Sequence, residues 1–449
     1  MTGLRNISRA AFGVLALGAV ASAGCFDSGM RVPPQPPEPA QLDLSVAYQR
    51  IDGFGASSAW TANNISDALA DQFFSPDTGI GLSLLRIQIK PTGTTAEMGT
   101  AMKAVARGAK VWAAPWTPPV EWKMDTDACG YAGTLQDAHR QDWADRLASF
   151  AASMAAQGIP LVAISAQNEP NYPARAKQFN ADGTPVCSSG WDSCLYSPDQ
   201  MVTFVRDFLG PALAAQNPYV PVMAPETQGW DQFKKWADPL MADSGAVSRM
   251  GPIATHHYAG SPSVYQPAVT AGKAIWETEI SDTKVSTSDP GIDSGLRVAA
   301  LIHDDLVSGN VSAWHYWWLM PGSDDNGALV MKSTQMLATR AWVLGNWSRF
   351  VRPGFVRVAL TAQPQNSIYL SAFKNPDDGR VVVVAVNQGY GDTTQDFTIA
   401  GGTIAELTPW VTSASQKLAQ QAPVPVAGGA LSVTLPPRSV TSFVGTFTP

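Results

Sequence analysis

Eight short apolar segments alternate with stretches of helical periodicity between residues 51 and 349. Most of the segments are continuous apolar runs, which is typical of parallel strands that are buried on both faces. Eight β-then-α units predict an α/β fold, a (β/α)8 TIM barrel rather than an open sheet. The predicted strands are IDGFGAS, GLSLLRIQI, KVWAAPW, PLVAISAQNE, VPVMAPE, IATHHY, KAIWETEI and VSAWHYWWL.

The clearest predicted helix covers residues 136–157. Apolar side chains recur there at spacings of four, three and four, which places them on one helical face, at Trp143, Leu147, Phe150 and Met154. Gly158 and Pro160 are expected to end this helix. Six further helices are predicted, at residues 66–74, 95–107, 198–209, 231–241, 294–306 and 334–344.

Residues 350–449 follow a different pattern. Short β-rich segments are separated there by Gly, Pro, Asn and Asp turns, which predicts an antiparallel β-sandwich beside the barrel. The segment 42–50, which precedes the barrel at 51–349, is predicted to add an N-terminal strand to this side domain.

The N-terminus has the features of an export signal. Residues 1–24 combine arginines, an apolar run and small residues, as signal peptides do. Residues 25–41 are Pro-rich and are expected to form an extended tether. Cleavage before Gly24 would give a secreted protein. If residues 22–25 act instead as a lipobox, Cys25 would be acylated and would anchor the protein at the bacterial cell surface or outer membrane.

The composition limits the partners that the protein can bind. The net charge is -7 and no basic patch occurs, so we expect no nucleic-acid partner. The 15 Trp and 10 Tyr suit a polysaccharide partner, because the apolar face of a sugar ring stacks on an indole. We expect a monomer.

Four cysteines are present. Export permits disulfides, and we expect one bond among Cys129, Cys187 and Cys194, with Cys187–Cys194 and a pair using Cys129 both open. No CxxC or HxxxH spacing predicts a metal site, and no GxGxxG loop predicts a dinucleotide, so we expect no cofactor.

Carboxylates stand at the ends of two predicted strands. Strand 4 ends in SAQNEP, with Asn168 and Glu169, and strand 7 ends in WETE, with Glu277 and Glu279. In a barrel these ends meet at one mouth, where active sites lie. Two facing carboxylates are what glycoside hydrolysis needs, one as proton donor and one as nucleophile or base.

These motifs, with IDGFGASSAW, VWAAPWTPP and ATHHYAG, resemble glycoside hydrolase family 30 over residues 42–449. The resemblance implies a retaining hydrolase with Glu169 as acid/base and Glu279 as nucleophile. Glu277 would point to the same side in a regular strand, so alternation alone does not choose between the two. Asn168 is expected to bind the sugar 2-hydroxyl.

Other rim residues are expected to support this pair. Arg86 is expected to hydrogen-bond the nucleophile and Tyr258 to donate to it, while His256 is expected to be structural or to contact sugar. Aromatic residues are expected to wall the sugar site, at Trp116, Trp317 and Trp60. Trp314 and Trp318 are candidates for either the wall or the core.

The resemblance implies an endo-β-1,4-xylanase. Rivals are β-1,6-glucanase, β-1,6-galactanase and glucosylceramidase-like activity, and, from another class, a non-catalytic carbohydrate-binding protein. Family members that require glucuronate place an Arg after the strand 8 aromatics. Here residues 317–329 contain no Arg or Lys but carry Asp324 and Asp325. We therefore expect no glucuronate requirement, unless Arg175 or Lys177 substitutes.

Overall fold

The structure is a computed structural model that describes residues 38–216, 219–283, 288–323 and 325–448. The predicted signal, the tether up to residue 37, Cys25 and Asp324 lie outside the described residues. No helix in the described part of the chain is long and apolar enough to cross a membrane.

Eight parallel strands close into a barrel, as the alternating pattern predicts. We name them barrel strands 1 to 8 in chain order. They are Gly53–Ser57, Leu84–Ile89, Lys110–Pro115, Leu161–Ser165, Val222–Thr227, Met250–Thr255, Ile275–Glu277 and Ala313–Trp318. Strand 8 pairs with strand 1 and completes the ring.

Helices follow the barrel strands and cover their outer side. The long ones are Asp67–Phe74, Met98–Val105, Arg140–Ala156, Trp230–Ala242, Ile292–Val307 and Thr339–Ser348. The shorter segments are Pro198–Thr203, Phe204–Leu209 (a π-helical turn), Gly210–Ala214, Ser244–Arg249 and Gln266–Thr270. Single 3-10 turns occur at Val120–Trp122, Asp137–His139 and Cys187–Ser189.

Local sequence signals set the helix ends. The Ser197 hydroxyl accepts from the backbone of Gln200, whose side chain accepts in turn from the Ser197 N–H, a reciprocal cap that starts the helix at Pro198. The helix Arg140–Ala156 buries all four apolar residues that its spacing predicts. It ends where Gly158 adopts a φ of 79°, which glycine tolerates best.

A second domain is built from ten strands in one hydrogen-bonded sheet. Its strands are Ala40–Arg50, Val356–Leu360, Ile368–Lys374, Arg380–Asn387, Thr393–Ala400, Thr403–Thr412, Ala419–Gln420, Val424–Pro425, Ala430–Leu435 and Ser439–Thr448. Side chains from strands near the two ends of this sheet's order, such as Leu407 and Leu431, share one core, so the sheet curls over itself as the layers of a sandwich do.

The segment before the barrel joins this sheet, as predicted. Its strand begins at Ala40 rather than at residue 42, and it pairs antiparallel with Val356–Leu360 and parallel with Thr393–Ala400. The parallel pair is an exception to the predicted antiparallel arrangement. Asn346, on the last barrel helix, donates to Trp410 O at 3.0 Å and to Ser442 Oγ at 2.9 Å, which joins the sheet to the barrel.

Candidate active site

A cleft of about 750 Å3 opens at the carboxyl ends of the barrel strands. TIM-barrel enzymes carry their active sites at this end. Glu169, after strand 4, and Glu279, after strand 7, both line the cleft. Aromatic side chains form much of its wall, at Trp60, Trp116, Tyr172, Trp191, Trp317 and Trp318.

Glu169 and Glu279 lie close together in the cleft. One carboxylate oxygen of Glu169 is within 4.8 Å of one oxygen of Glu279. Retaining glycosidases hold their two carboxyl groups about 5–5.5 Å apart, whereas inverting enzymes need roughly 6.5–9.5 Å to admit a water. The spacing therefore fits a double displacement through a glycosyl-enzyme.

Both oxygens of Glu279 accept hydrogen bonds. Arg86, which is fully buried, donates through Nη1 to Oε2, and the Tyr258 hydroxyl donates to Oε1 at 3.0 Å. The other guanidinium nitrogen of Arg86, Nη2, donates to Asn168 Oδ1 and, at 2.8 Å, to Glu226 Oε1. Charged donors stabilise an ionised carboxylate, so this arrangement suits a nucleophile.

Glu277 faces away from the cleft. Strand 7 ends at this residue, so the alternation that would align it with Glu279 stops there. Its carboxyl group is fully buried and accepts from the backbone N–H groups of Glu279 at 2.9 Å and His315 at 3.0 Å. Burial raises its pKa well above the ordinary value for glutamate. Glu277 therefore fixes the backbone beneath Glu279 and does not reach substrate.

His256 lies beneath the carboxylate pair. It is fully buried, with Nδ1 at 3.3 Å from Glu169 Oε1 and Nε2 at 3.8 Å from Glu279 Oε2. Its contacts are therefore with the catalytic carboxylates, which agrees with the structural alternative of the sequence analysis.

Glu226 is the residue that the sequence analysis missed. It is the penultimate residue of strand 5, in the segment VPVMAPE, is fully buried, and lies 3.6 Å from His256 Nε2. The rule that located Glu169 and Glu279, a carboxylate at a barrel strand end, applies to it equally. Glu226 and Glu169 both have positive φ angles, 60° and 45°, a strained conformation that clusters at functional sites.

Opposite charges shift the pKa values at the base of the cleft. Burial alone would lower the pKa of His256, but the carboxylates of Glu279, Glu169 and Glu226 raise it to about 10. Burial opposes the ionisation of Glu226, yet Arg86 and His256 hold its pKa below the usual value. Burial raises the pKa of Glu279, and the same two cations counteract that rise.

The predicted sugar-site tryptophans lie together. The ring centroids of Trp60 and Trp116 are 5.0 Å apart, and those of Trp60 and Trp317 are 5.7 Å apart. Trp318 stacks on Trp317 at 4.8 Å and also lines the cleft. Trp314 is core, because it is fully buried and donates to Asp305.

A disulfide joins two loops beside the cleft. Cys129, after strand 3, bonds to Cys187, after strand 4, with Cα atoms 5.4 Å apart. The sequence predicted one bond and left its partners open. Cys194 is buried and carries no disulfide, and burial raises the pKa of its thiol to about 12.

Within the described residues, one set of side chains of metal-ligating type converges, formed by Glu169, His256 and Glu279. His256 Nδ1 already lies 3.3 Å from Glu169 Oε1, and the surrounding carboxylates raise the pKa of the ring, which favours its protonated form. An imidazolium has no lone pair for a metal ion. The set is better suited to proton and glycosyl transfer.

Sequence comparison matches both domains to one family. Residues 95–273 match the glycosyl hydrolase family 30 TIM-barrel domain, and residues 354–443 match the glycosyl hydrolase family 30 beta sandwich domain. The chain belongs to glycoside hydrolase family 30. The fold and the family that the motifs predicted are confirmed, and the protein is a glycoside hydrolase.

Several family 30 proteins resemble this chain along nearly its whole length. The glucuronoxylanase XynC of Bacillus subtilis (strain 168) is 30% identical, covering 90% of each chain. A family 30 subfamily 8 xylanase from Clostridium acetobutylicum superposes with a TM-score of 0.79 at 31% identity, over 91% of this chain and 99% of the other. A family 30 endoxylanase from Clostridium papyrosolvens C71 gives 0.76 at 30% identity, over 91% and 100%.

Replacement of the two strand 7 glutamates separates their roles. Glu279→Gln should lower turnover by several orders of magnitude, because the amide cannot form the glycosyl-enzyme. Glu277→Gln should keep substantial turnover but unfold at lower denaturant concentration, by about 1–3 kcal/mol, because its NH2 cannot accept from a backbone N–H. Steady-state kinetics and urea unfolding of both variants measure this. A Glu277→Gln variant that is inactive but as stable as the wild type would show that the roles assigned to Glu277 and Glu279 are wrong.

The pH dependence of kcat/KM reports the charge on His256. The His256→Asn variant removes a cation that lowers the pKa of Glu279, so that pKa should rise further. Since Glu279 must be ionised to attack, the acidic limb of the profile should move to higher pH. His139→Asn is the control and should leave the limb in place, because His139 pairs with Asp142, stacks on Trp122 and does not line the cleft. An acidic limb that stays or moves to lower pH in His256→Asn contradicts the proposed charge of His256.

Proposed function

We propose that this glycoside hydrolase is an exported, retaining endo-β-1,4-xylanase. The carboxylate spacing of at most 4.8 Å between the nearest oxygens of Glu169 and Glu279 supports retention and carries the proposal. Relatives named as xylanases over nine-tenths of the chain support the substrate. Residues that follow strands 3 and 4 and residues that follow strands 7 and 8 line the cleft together with the carboxylate pair.

The reaction follows from the contacts. Glu279 attacks the anomeric carbon while Glu169 protonates the departing glycosidic oxygen, which leaves a sugar bonded to Glu279. Glu169, now ionised, takes a proton from water as that water attacks the anomeric carbon and releases Glu279. Arg86 and Tyr258 hold the Glu279 carboxylate in place through both steps.

Product analysis on a polysaccharide panel tests the substrate. The purified enzyme should release oligosaccharides of mixed length from β-1,4-xylan and little from β-1,6-glucan, β-1,6-galactan or glucosylceramide. Preference for one of these three would replace xylan in the proposal. Absence of any hydrolysis would favour the carbohydrate-binding alternative, which the complete catalytic pair argues against.

Export is part of the proposal and rests on residues 1–24 and the tether. Mass spectrometry of the protein from its native host should show a mature N-terminus near Gly24 or a lipid-modified Cys25. An intact Met1 would contradict export.

The glucuronate requirement can be tested with the same enzyme. In the strand 8 loop, Asp325 lines the cleft and accepts from Gly327 N at 2.7 Å and Ser323 Oγ at 2.6 Å, so an anion faces the substrate there. We expect the kcat/KM for unsubstituted linear xylan to be at least as high as that for glucuronoxylan, because like charges repel a uronate.

Lys177 is the cation that would oppose this expectation, because it lines the cleft on the strand 4 side. Lys177→Gln should leave the ratio of the two kcat/KM values unchanged, and Lys234→Gln, at an exposed lysine that does not line the cleft, serves as its control. Activity confined to glucuronoxylan, lost in Lys177→Gln, would show that this lysine recognises the uronate carboxylate.

A further inference from the structure

The cleft has two arms on either side of the carboxylate pair. One arm follows strand 7 and strand 8 and carries Glu279, Trp317 and Trp318. The other follows strands 3 and 4 and carries Glu169. We call this second arm the leaving-group arm, defined by Tyr131, Tyr172, Lys177 and Trp191. The name follows from chemistry, because the acid must reach the departing oxygen, whereas the nucleophile bonds to the sugar that stays.

Two aromatic rings dominate the leaving-group arm. The rings of Tyr172 and Trp191 are nearly parallel, at 8°, with centroids 6.0 Å apart. Tyr172 is 38% exposed and lines the cleft together with Trp191, so the two rings offer a solvent-facing apolar surface there. The Lys177 ammonium lies 4.6 Å from the Trp191 ring centroid and can donate to hydroxyl groups beside it.

Residues that precede and follow Trp191 in the chain are held by a disulfide and by hydrogen bonds. Upstream, Cys187 is bonded to Cys129, and its carbonyl oxygen accepts from the Tyr131 hydroxyl at 2.6 Å. Downstream, Ser193 O accepts from the Lys123 ammonium at 3.0 Å. Both attachments lead to the same neighbouring segment, the hairpin Lys123–Thr126 and Ala132–Leu135.

Lys123 is nearly buried and also donates to two carbonyl groups of its own hairpin, Gly130 O at 2.6 Å and Ala132 O at 3.1 Å. A buried ammonium with three backbone acceptors resists displacement, because moving it would leave a buried charge without hydrogen-bond partners. A loop that is fixed before binding loses less entropy when it meets its ligand.

We propose that Trp191 with Tyr172 is the platform for the leaving-group sugar, a neutral pyranose, and that the Cys129–Cys187 disulfide is its positioning element. The identification of that sugar as xylose rests on the proposed function. The platform serves twice, because the sugar that leaves and an acceptor sugar that replaces water bind in the same arm. In transfer, the acceptor oxygen bonds to the anomeric carbon, the bond to Glu279 breaks, and the acceptor proton passes to Glu169.

The ratio in which the glycosyl-enzyme reacts with an acceptor sugar or with water tests the platform directly. A nitrophenyl β-xylobioside forms the intermediate, and added xylobiose competes with water for it. Trp191→Ala should lower the ratio of transfer to hydrolysis about three- to ten-fold, the loss expected for one aromatic contact. Trp191→Phe should restore most of it. A purely structural role would lower both products together and leave the ratio unchanged.

The control is Tyr390→Ala, which removes a highly exposed aromatic ring in the side domain and should not alter the ratio. An unchanged ratio in Trp191→Ala, or a wild type that gives no transfer product with xylobiose, overturns the platform. A wild type that releases no nitrophenol and cleaves no xylan contradicts the proposed function instead, and with it the identification of xylose.

A double-mutant cycle tests the disulfide. Cys129→Ser/Cys187→Ser should lower the transfer ratio in the same direction as Trp191→Ala, and the combined variant should be no worse than Trp191→Ala alone. Cys194 does not complicate the readout, because it is buried with a raised thiol pKa. Additive losses, or an unchanged ratio in the double serine variant, overturn the positioning role of the disulfide.

Discussion

Arg86 is enclosed by the barrel, and the catalytic carboxylates are arranged around its guanidinium. It contacts Glu226 and Glu279 directly, while His256 contributes the second positive charge beside Glu169. Glu226 and Glu279 would not both remain ionised at so buried a site without these cations, because burial favours the neutral form. Removal of one partner from such a buried set costs roughly 3–5 kcal/mol, since a charge is left uncompensated.

The same arrangement gives Glu279, Glu226 and Glu277 different chemical roles. Glu279 receives donors on both oxygens yet faces the cleft, as a nucleophile must. Glu226 has the same cation but no place at the cleft surface, so its role is to balance Arg86 and His256. Among the described residues, Glu277 accepts from backbone N–H groups and makes no direct ion pair with Arg86 or His256.

The barrel was predictable because it depends on periodicity along the chain, whereas the choice of Glu279 over Glu277 came from the resemblance to family 30. Apolar runs locate the strands, and the strand ends bring Glu169 and Glu279 to one mouth. The same strand-end rule applies to Glu226, so Glu226 could also have been predicted. The orientation of Glu277 was not predictable, because it depends on where strand 7 stops and on a backbone N–H of His315, which is distant along the chain and donates to the Glu277 carboxylate. The disulfide partners depend on long loops whose paths no local pattern specifies.

Retention with Glu279 as the nucleophile is the central claim. A xylobioside with fluorine at C2 slows release of the glycosyl-enzyme, so the intermediate can be trapped and its peptides fragmented by mass spectrometry. The account predicts one added glycosyl group on Glu279. A label on Glu277 or Glu169, or first-formed product of inverted anomeric configuration by proton NMR, would contradict it.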